Sequence, residues 1–271
     1  MRFKAPGNRT PVTIIIEVML KSLFRKIFNI FNYEIVKKKY SGIIDKREWI
    51  PFQYSNEDYK LYFEGLEASK NKQTDNFHKQ SRLLDLIGLV KIVLRQNNVE
   101  DFVEAGCWKG HSSYLISKLI SNHNKNIKLH IFDSFEGLSK PSMGDEQFNK
   151  FKPKEIDNIR VQFSSNEDFV KNSVLRNFKF VETYKGWIPE KFYLVEKKKF
   201  SFVHVDVDLY EPTLKTLEFF FPRLIDGGII ACDDYNSKAF DGAKKAWDQY
   251  FSNKKVKFNF SPAMGGSFIV K

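Results

Sequence analysis

The sequence predicts an α/β fold: a doubly wound, mostly parallel β-sheet with helices on both of its faces and an N-terminal helical extension. Short apolar runs of strand length alternate with helix-like stretches, which is the pattern of βαβ units. Acidic residues and glycines follow several of these runs, where parallel sheets bind their ligands. The predicted strands are 101–105, 128–132, 178–183, 200–206 and 228–232, and the predicted helices between them are 111–121, 166–176 and 211–223.

The composition fits one well-packed domain with an appendage. Of the 271 residues, 42% are hydrophobic and 15% aromatic, which supports a sizeable core and excludes a largely disordered chain. Two cysteines are too few for a disulfide scaffold and fit a reducing cytoplasm. The net charge is +11, but residues 1–50 hold 11 Lys and Arg against 4 Asp and Glu. The rest of the chain is therefore nearly balanced, and we expect no nucleic-acid partner.

The first part of the chain is predicted to lie outside the sheet. Residues 1–18 are predicted to be a disordered leader, whose apolar stretch is too short to span a membrane and is interrupted by Glu17. Residues 19–74 are predicted to form a helical or lid segment, because the apolar positions from Leu20 follow helical spacing. This spacing favours packing against the chain's own domain or a second copy. Peripheral contact of residues 19–39 with the inner face of an anionic membrane is the alternative.

The sheet domain is predicted to span residues 75–271. It opens with a helix at 77–96, for which Asp75 is the predicted N-cap. The polar segment 139–165 follows the second predicted strand. We expect this segment to form a loop over the ligand cleft and to select the substrate, because loops at the ends of strands commonly carry specificity.

A glycine turn follows the first predicted strand, where residues 104–110 read E-A-G-C-W-K-G. Gly106 and Gly110 permit a tight turn and the close approach of a ligand. The turn lacks the three-glycine pattern that cradles a pyrophosphate, so a cofactor without phosphate, such as S-adenosylmethionine, fits it better. Glu104, at the end of the strand, can hold the cationic amine of that cofactor. Asp133 ends the second strand, where an acid typically accepts hydrogen bonds from ribose hydroxyls.

Four carboxylates follow the fourth and fifth predicted strands: Asp206, Asp208, Asp233 and Asp234. Close carboxylates repel one another, so they need raised pKa values or a neutralising cation. A set of oxygen ligands without His or Cys suits Mg²⁺ or another hard divalent cation. Three of the aspartates can bind the metal while the fourth takes the proton of a substrate hydroxyl. Spacing alone does not separate Asp206 from Asp208 in these two roles.

Two histidines lie near these motifs. His204 shares the predicted strand face of Asp206 and Asp208 but lies deeper, so we expect it in a core or supporting position rather than as a metal ligand. His111 opens the helix after the glycine turn. The sequence leaves open whether His111 faces the cofactor or caps the helix.

Five segments, in order between residues 75 and 251, resemble the macrocin O-methyltransferase (TylF/MycF) family: FVEAGCWKGHSS, IFDSFEGL, YKGWIPEKF, FVHVDVDLYEPTLKTLEFFFPRLIDGGIIACDDY and GAKKAWDQYF. The resemblance implies a Rossmann-like class I methyltransferase. It implies an enzyme that uses S-adenosyl-L-methionine and a divalent metal to methylate a sugar hydroxyl of a glycan or glycosylated metabolite. It also implies a homo-oligomer.

The resemblance further assigns roles to individual residues. The metal ligands that it implies are Asp206, Asp233 and Asp234, and the general base that it implies is Asp208. The cofactor residues that it implies are Glu104, Gly106 and Gly110 for the methionine end and Asp133 and Ser134 for the ribose.

Two other functions compete with this interpretation. Asp206-Val207-Asp208 fits the D-x-D motif with which metal-dependent glycosyltransferases bind a nucleotide sugar. The glycine turn and the Asp233-Asp234 pair fit that function less well. The second competitor is a non-catalytic sugar- or protein-binding module, which would not need to keep acids at all of these strand ends.

Overall fold

The computed structural model describes residues 33–35, 43–45, 55–123, 126–262 and 266–271. The chain divides into two compact units, Met1–Ser55 and Asn56–Lys271. The second unit holds the sheet and the candidate site. It begins within the segment 19–74, which the sequence analysis placed before the sheet domain.

The first unit contributes two short strands to the described residues. Strand β1 (Tyr33–Ile35) pairs antiparallel with strand β2 (Ile43–Asp45). The predicted leader, residues 1–18, and the predicted amphipathic helix from Leu20 lie outside the described residues.

The second unit is built on a seven-stranded sheet in the order β5-β4-β3-β6-β7-β9-β8. The first five strands in this order are parallel, and β9 and β8 are antiparallel additions at one edge. The predicted doubly wound, mostly parallel sheet is thereby confirmed, while the two antiparallel strands were not predicted. The strands are β3 (Asp101–Ala105), β4 (Leu129–Asp133), β5 (Val181–Lys185), β6 (Phe200–Val205), β7 (Leu224–Cys232), β8 (Phe258–Phe260) and β9 (Ser267–Val270).

The central strands are apolar along their whole length because helices cover both faces of the sheet. All six residues of β6 are buried, as are the last four of β3. Strand β5 starts at Val181 rather than at 178, because the backbone amide of Phe178 bonds back to the carbonyl of Leu175 and forms a turn. The predicted strand began too early because the residues of this turn, including Phe178 and Phe180, are apolar like those of a strand.

Helices flank the sheet and carry most of the connections between strands. They are α1 (Asn56–Ala68), α2 (Phe77–Leu94), α3 (His111–Ser121), α4 (Pro153–Gln162), α5 (Glu167–Phe169), α6 (Tyr210–Phe220) and α7 (Asp241–Phe251). A π-helical turn, Val170–Val174, continues α5, and 3₁₀ turns lie at Lys72–Thr74, Phe148–Lys150, Phe192–Val195 and Phe221–Arg223. None of the helices in these described ranges combines the length and the apolar character that crossing a bilayer requires.

The N-cap of α2 differs from the predicted one. Asn76 caps the helix, because its side-chain oxygen accepts a hydrogen bond from the backbone amide of Lys79 at 3.1 Å. Asp75 instead accepts hydrogen bonds from the Tyr62 hydroxyl at 2.7 Å and from the Gln80 side chain at 3.0 Å. The predicted cap at Asp75 is therefore wrong by one residue, since Asp75 is engaged by α1 and by the next turn of α2.

The segment 139–165 is more ordered than the predicted loop. It contains the 3₁₀ turn at Phe148–Lys150 and helix α4. Its Asp145 is buried and accepts hydrogen bonds from the backbone amides of Ser142 and Tyr210, both at 2.7 Å. The segment is thus attached to the first residue of α6.

The core beside β6 is rich in aromatic side chains. Phe220 of α6 is fully buried, and its ring centroid lies 4.7 Å from that of Phe192 and 5.3 Å from that of Phe200. Trp247 of α7 lies in the same cluster. These contacts hold α6 and α7 on one face of the sheet and so fix where the chain leaves β6 and β7.

The turn between β3 and α3 passes against the backbone that follows β6. Gly106 has φ +83°, and a Cβ at this position would overlap the backbone carbonyl oxygen of Asp206. The amide of Asp206 in turn donates to the carbonyl of Ala105 at 2.8 Å. The two strand ends therefore approach each other as closely as only glycine permits.

Alanine at Gly106 should therefore be strongly destabilising. We expect Gly106→Ala to lower the free energy of unfolding by at least about 2 kcal/mol, from the positive φ and the overlap with Asp206. Gly88 provides the control, because it lies inside α2 and a Cβ there meets no atom within 4 Å. Gly88→Ala should raise the free energy of unfolding by about 0.5–1 kcal/mol. Urea titration of both variants measures the difference, and equal stabilities would contradict the close approach.

Candidate active site

The carboxyl ends of the parallel strands surround a cavity of about 340 Å³. The glycine turn after β3, Asp133 at the end of β4, and the aspartates after β6 and β7 all contribute to its wall. The register places Val205 of β6 beside Ala105 of β3 on one side and beside Cys232 of β7 on the other. The residues that follow these strands therefore meet at one edge of the sheet, as the sequence predicted.

Three carboxylates form a cluster at this edge. One oxygen from each of Asp206, Asp208 and Asp234 lies within 4.8 Å of the others. Asp208 and Asp234 are buried, and Asp206 is half-buried. Strand β6 ends at Val205, so Asp206 and Asp208 meet through the turn that follows the strand and not through the strand alternation that was predicted.

The turn that carries Asp208 is strained and tightly bonded. Asp208 has φ +59°, in the left-handed region that residues other than glycine seldom adopt. Its backbone amide donates to a carboxylate oxygen of Asp234 at 3.1 Å, and the amide of Leu209 bonds to the carbonyl of Val207 at 2.6 Å. Strained non-glycine residues of this kind occur often at functional sites, where the surrounding structure maintains them.

Burial raises the pKa of every carboxyl group in the cluster, and repulsion within the cluster raises those of Asp208 and Asp234 further. Burial and the negative charge of Asp206 raise the pKa of Asp234 to about 7. Burial, Asp234 and Asp206 raise the pKa of Asp208 well above its usual range, and burial raises the pKa of Asp206. A divalent cation would relieve this repulsion, and three oxygen donors without His or Cys suit Mg²⁺ or a similar hard cation. The residues present therefore fit such an ion.

Asp233, the fourth predicted carboxylate, lies apart from this cluster. Its side chain forms an ion pair with Arg82 of α2, and the same guanidinium lies 3.8 Å from Asp234. The Asp233 carboxylate also lies 3.9 Å from Nε2 of His204. The structure thus brings together three of the four aspartates and gives the fourth a protein cation as its partner.

Glu104 lies below the cavity and is fully buried. One of its oxygens accepts a hydrogen bond from the Ser113 hydroxyl, and the other lies 3.1 Å from Nδ1 of His204. Burial alone would lower the pKa of His204, but the hydrogen bond and the charge of Glu104 raise it above the ordinary value. Both oxygens of Glu104 are thus engaged by protein groups, and His204 occupies the supporting position that the sequence predicted.

Asp133 holds the glycine turn in place. One oxygen accepts hydrogen bonds from the backbone amides of Cys107 at 2.7 Å and Trp108 at 3.0 Å. The other accepts from the amide of Phe135 at 2.6 Å, which leaves that oxygen one free acceptor position in the cavity wall. Asp133 therefore lies at the cavity edge, as the sequence predicted, and it also holds the backbone of the glycine turn in place.

Ser134 and Gly110 shape the turns beside the cavity. The Ser134 hydroxyl donates to the carbonyl of Gly137 at 3.0 Å and accepts from the amide of Glu136 at 3.1 Å. Gly110 has φ +79° and is the N-cap residue of α3. Both residues lie where the sequence predicted cofactor contacts. Each also has a local structural role, because Gly110 adopts a positive φ and the Ser134 hydroxyl bonds to two backbone groups.

Sequence reasoning did not identify two cationic side chains in the cavity wall. Arg82 and Lys79 lie on the first turns of α2 and face the carboxylates from that helix. The sequence carries little signal for these roles, because both residues lie in an ordinary amphipathic helix and the carboxylates that they face, Asp206 and Asp233, lie more than 100 residues later in the chain.

Comparison with solved structures supports the fold. The O-methyltransferase NovP superposes with a TM-score of 0.58 and 22% identity, covering 70% of this chain and 78% of NovP. The calicheamicin methyltransferase CalS11 superposes with a TM-score of 0.57 and 16% identity, covering 86% of this chain and 99% of CalS11. At these identities the similarity establishes a shared Rossmann-like methyltransferase architecture.

Two curated relatives are similar in sequence. One, from Streptomyces olivaceus, is an 8-demethyl-8-(2,3-dimethoxy-alpha-L-rhamnosyl)-tetracenomycin-C 4'-O-methyltransferase, 27% identical over 181 residues. The other, from Streptomyces niveus, is a demethyldecarbamoylnovobiocin O-methyltransferase, 24% identical over 159 residues. The matches cover 62% and 57% of this chain, and the chain spans only 64% and 60% of the length of these relatives.

The family model for macrocin-O-methyltransferase (TylF) matches residues 48–262, which is most of the chain. The matched range contains the glycine turn, Asp133 and all four aspartates of the site. The match includes Asp206-Val207-Asp208, so the family assignment argues against the glycosyltransferase alternative. On this evidence the chain belongs to the macrocin-O-methyltransferase (TylF) family.

Proposed function

We propose that the protein is an O-methyltransferase that transfers the methyl group of S-adenosyl-L-methionine to a sugar hydroxyl, with the help of a divalent cation such as Mg²⁺. The observation that carries this proposal is the cluster of Asp206, Asp208 and Asp234 in the wall of a cavity beside the glycine turn. The family assignment supplies the reaction class.

The cofactor is proposed to lie along the ends of β3 and β4. Gly106 lets the glycine turn pass directly against the backbone of Asp206, and Asp133 has an acceptor position free for a ribose hydroxyl. Glu104 is proposed to act indirectly on the methionine end, because its carboxylate is buried and anchors Ser113 in the first turn of α3. Gly110 and Ser134 are proposed to shape the turns against which the cofactor rests.

The cation is proposed to be held by Asp206 and Asp234, with Asp233 as the third ligand that the family resemblance implies. When bound, a divalent cation supplies positive charge that offsets these carboxylates and lowers the pKa of a nearby acceptor hydroxyl. Asp233 would have to leave its ion pair with Arg82 to join this set. Asp208 already lies within the cluster and would not have to move. Substitution of Asp233 and of Asp208 in turn therefore tests which of them is the third ligand.

Asp208 is proposed to take the proton of the acceptor hydroxyl as the general base. The hydroxyl oxygen forms a bond to the methyl carbon while the bond from that carbon to sulfur breaks. The electron pair of the broken bond stays on sulfur, which neutralises the sulfonium and gives S-adenosylhomocysteine. The buried position of Asp208 keeps its carboxylate poorly solvated, which strengthens it as a base.

The acceptor is proposed to be a small molecule or glycan that carries a sugar. By name, one relative methylates the 4′ oxygen of a dimethoxy-rhamnosyl tetracenomycin, and the other methylates demethyldecarbamoylnovobiocin. The segment 139–165 is proposed to select the acceptor, since Ser139 and Phe163 near its two ends line the cavity, as does Leu138 just before it.

Cofactor binding distinguishes the proposed function from its competitors. We expect S-adenosylhomocysteine to bind in calorimetric titrations with Mg²⁺ present, and we expect a mass gain of one methylene on a glycosylated acceptor incubated with S-adenosylmethionine. A nucleotide-diphosphate sugar serves as the comparison ligand. If that sugar bound and S-adenosylhomocysteine did not, the protein would be a nucleotide-sugar enzyme and the proposal would be overturned.

Removing the proposed base should abolish turnover and spare cofactor binding. We expect Asp208→Asn to lower kcat by roughly 10²–10⁴-fold, the usual contribution of a general base. Asparagine tolerates the left-handed backbone at this position, so the substitution removes charge without removing the turn. The affinity for S-adenosylhomocysteine should change by less than about threefold in calorimetry, because Asp208 contacts the acceptor and not the cofactor.

The matched control for this variant is Asp226→Asn. The Asp226 side chain is 87% exposed and pairs with Lys257 far from the cavity. The Asp226→Asn variant should have the same kcat and the same cofactor affinity as the wild type. A kcat of Asp208→Asn within tenfold of the wild type would remove Asp208 from the role of base.

Proton competition should make Mg²⁺ binding depend on pH. Asp234 has a pKa of about 7 without the cation, so it is mostly protonated at pH 6 and a bound ion must displace that proton. We expect the Kd for Mg²⁺ to fall by about tenfold or more between pH 6 and pH 8. Asp234→Asn should weaken Mg²⁺ binding at both values and reduce this pH dependence.

Asp233→Asn identifies the third ligand in the same titrations. A loss of Mg²⁺ affinity in this variant would support the ligand set that the family implies. Unchanged affinity in Asp233→Asn, with a loss in Asp208→Asn, would assign the third ligand to Asp208. A Kd for Mg²⁺ that does not change with pH would contradict the proposed carboxylate site.

A further inference from the structure

The cavity lies at the carboxyl ends of the parallel strands, and a dense group of cations lies at their opposite, amino ends. Residues 197–199 lead into β6, whose first residue is the partner of the first residue of β7. The ammonium of Lys271, after β9, donates to the carbonyl of Leu224 at the start of β7 at 2.7 Å. The amide of Lys257, before β8, donates to the carbonyl of Val270 at 3.0 Å. The eight Lys and Arg residues there form what we call the basic face: those of the segments 197–199 and 254–257, together with Arg223 and Lys271.

Few carboxylates offset the basic face. Three side-chain carboxylates adjoin it, those of Asp101, Glu196 and Asp226. Lys198 pairs with Asp101 at 2.8 Å, and Lys257 pairs with Asp226 at 2.7 Å. Within the described ranges, the other six cations of the face form no ion pair with a carboxylate. The face therefore carries an excess of positive charge.

The cations of the basic face are crowded and point into solvent. Burial and the charge of Lys199 both lower the pKa of Lys271, so lysines from two different segments already repel each other. Lys197, Lys254 and Lys255 are exposed. An anionic surface placed against the face would relieve this repulsion.

Exposed apolar side chains flank these cations in the sequence. Tyr193 and Leu194 lie on the 3₁₀ turn just before residues 197–199, and they are 60% and 50% exposed. Phe258 directly follows Lys257 and is 50% exposed. Protruding cations combined with exposed apolar side chains are typical of proteins that bind a membrane surface.

The basic face also concentrates the positive charge of the second unit. Residues 51–271 hold 33 Lys and Arg against 29 Asp and Glu, a net charge of +4. Eight cations against three carboxylates give the face +5, so the remainder of this region is slightly negative. Residues 1–50 are themselves basic, with 11 Lys and Arg against 4 Asp and Glu, so they do not supply the missing anion. The complementary partner is therefore an anionic surface outside this chain.

A phospholipid bilayer fits this face better than a nucleic acid does. Lysine ammonium groups attract anionic headgroups, while apolar side chains enter the boundary between headgroups and acyl chains. A nucleic-acid backbone would match the lysines but would give Leu194 no apolar contact. We propose that the basic face docks the protein on an anionic phospholipid bilayer, with Leu194 and Phe258 reaching the headgroup boundary. The cavity then opens away from the membrane, because it lies at the other ends of the same strands.

Vesicle co-sedimentation of the full chain tests this docking surface. The two probes are vesicles of phosphatidylcholine mixed with phosphatidylglycerol and vesicles of phosphatidylcholine alone. We expect the wild type to prefer the anionic vesicles by at least about tenfold and to lose this preference at high salt. Lys197→Gln/Lys199→Gln/Lys255→Gln should weaken binding to the anionic vesicles roughly 100-fold, from about fivefold for each lysine.

The matched control is Lys60→Gln/Lys154→Gln/Lys238→Gln, which removes three exposed lysines outside the basic face. This variant should lose less than about fivefold, the effect of one lysine at the membrane surface. Residues 1–50 are present in both variants, so their contribution cancels in the comparison. Equal losses in the two triple variants would show that only net charge matters and would overturn the docking surface.

The apolar side chains distinguish a bilayer from other polyanions. Leu194→Ser/Phe258→Ser should weaken binding to the anionic vesicles by roughly tenfold or more, because two apolar side chains no longer enter the headgroup boundary. The same variant should bind a DNA duplex as the wild type does. A duplex bound as tightly as the anionic vesicles, with this variant unaffected on both probes, would overturn the bilayer as the partner.

The affinity for S-adenosylhomocysteine separates this inference from the proposed function. It should be the same in all of these variants, because the basic face and the cavity lie at opposite ends of the strands. A wild type that bound S-adenosylhomocysteine and showed no preference between the two kinds of vesicle would overturn only the docking surface. Lysine-dependent vesicle binding without any binding of S-adenosylhomocysteine would overturn only the proposed function.

Discussion

The repulsion among three carboxylates at the end of β6 and β7 is the constraint on which the site depends. The parallel register forces Asp206, Asp208 and Asp234 together, and burial removes the water that would otherwise screen them. Protonation can relieve the repulsion, as the pKa of about 7 for Asp234 indicates, and so can a cation. Protonation near neutral pH is therefore one way to relieve the repulsion, and the cation that we propose would displace those protons.

A buried chain of polar groups runs from the strand ends beside this cluster to α3, the helix after the glycine turn. Ser113 bonds to Glu104, Glu104 pairs with His204, and His204 lies 3.9 Å from Asp233, which pairs with Arg82. Along this chain each buried carboxylate has a hydrogen-bond donor or a cation beside it, Ser113 and His204 for Glu104 and Arg82 for Asp233. This arrangement accounts for an acidic residue at the end of β3 that does not reach the cavity: Glu104 organises α3 from below.

The sequence predicted the layout of the sheet and the strand ends that form the site, because apolar periodicity and acidic strand ends are local patterns. It could not predict the partition among the four aspartates. Asp233 and Asp234 are adjacent in sequence, yet one pairs with Arg82 and the other joins the cluster, through contacts with a helix more than 100 residues earlier. It also assigned Asp75 as the cap of α2, because a cap signal does not reveal that Tyr62 already uses that carboxylate.

The segment between β4 and α5 is attached to the helix that follows the turn of Asp208. Asp145 accepts the backbone amide of Tyr210 at 2.7 Å and so attaches this segment to α6 two residues after Asp208. Lys245 of α7 reaches the carbonyl of Gly144 at 3.2 Å and supports the same turn from the other side. The segment is thus attached to the start of α6, directly after the turn that carries Asp208, while Leu138 and Phe163 beside it line the cavity. On the proposed function, the cavity-lining side chains of this segment can change without displacing the carboxylates, because Asp145 and not those side chains attaches the segment to α6.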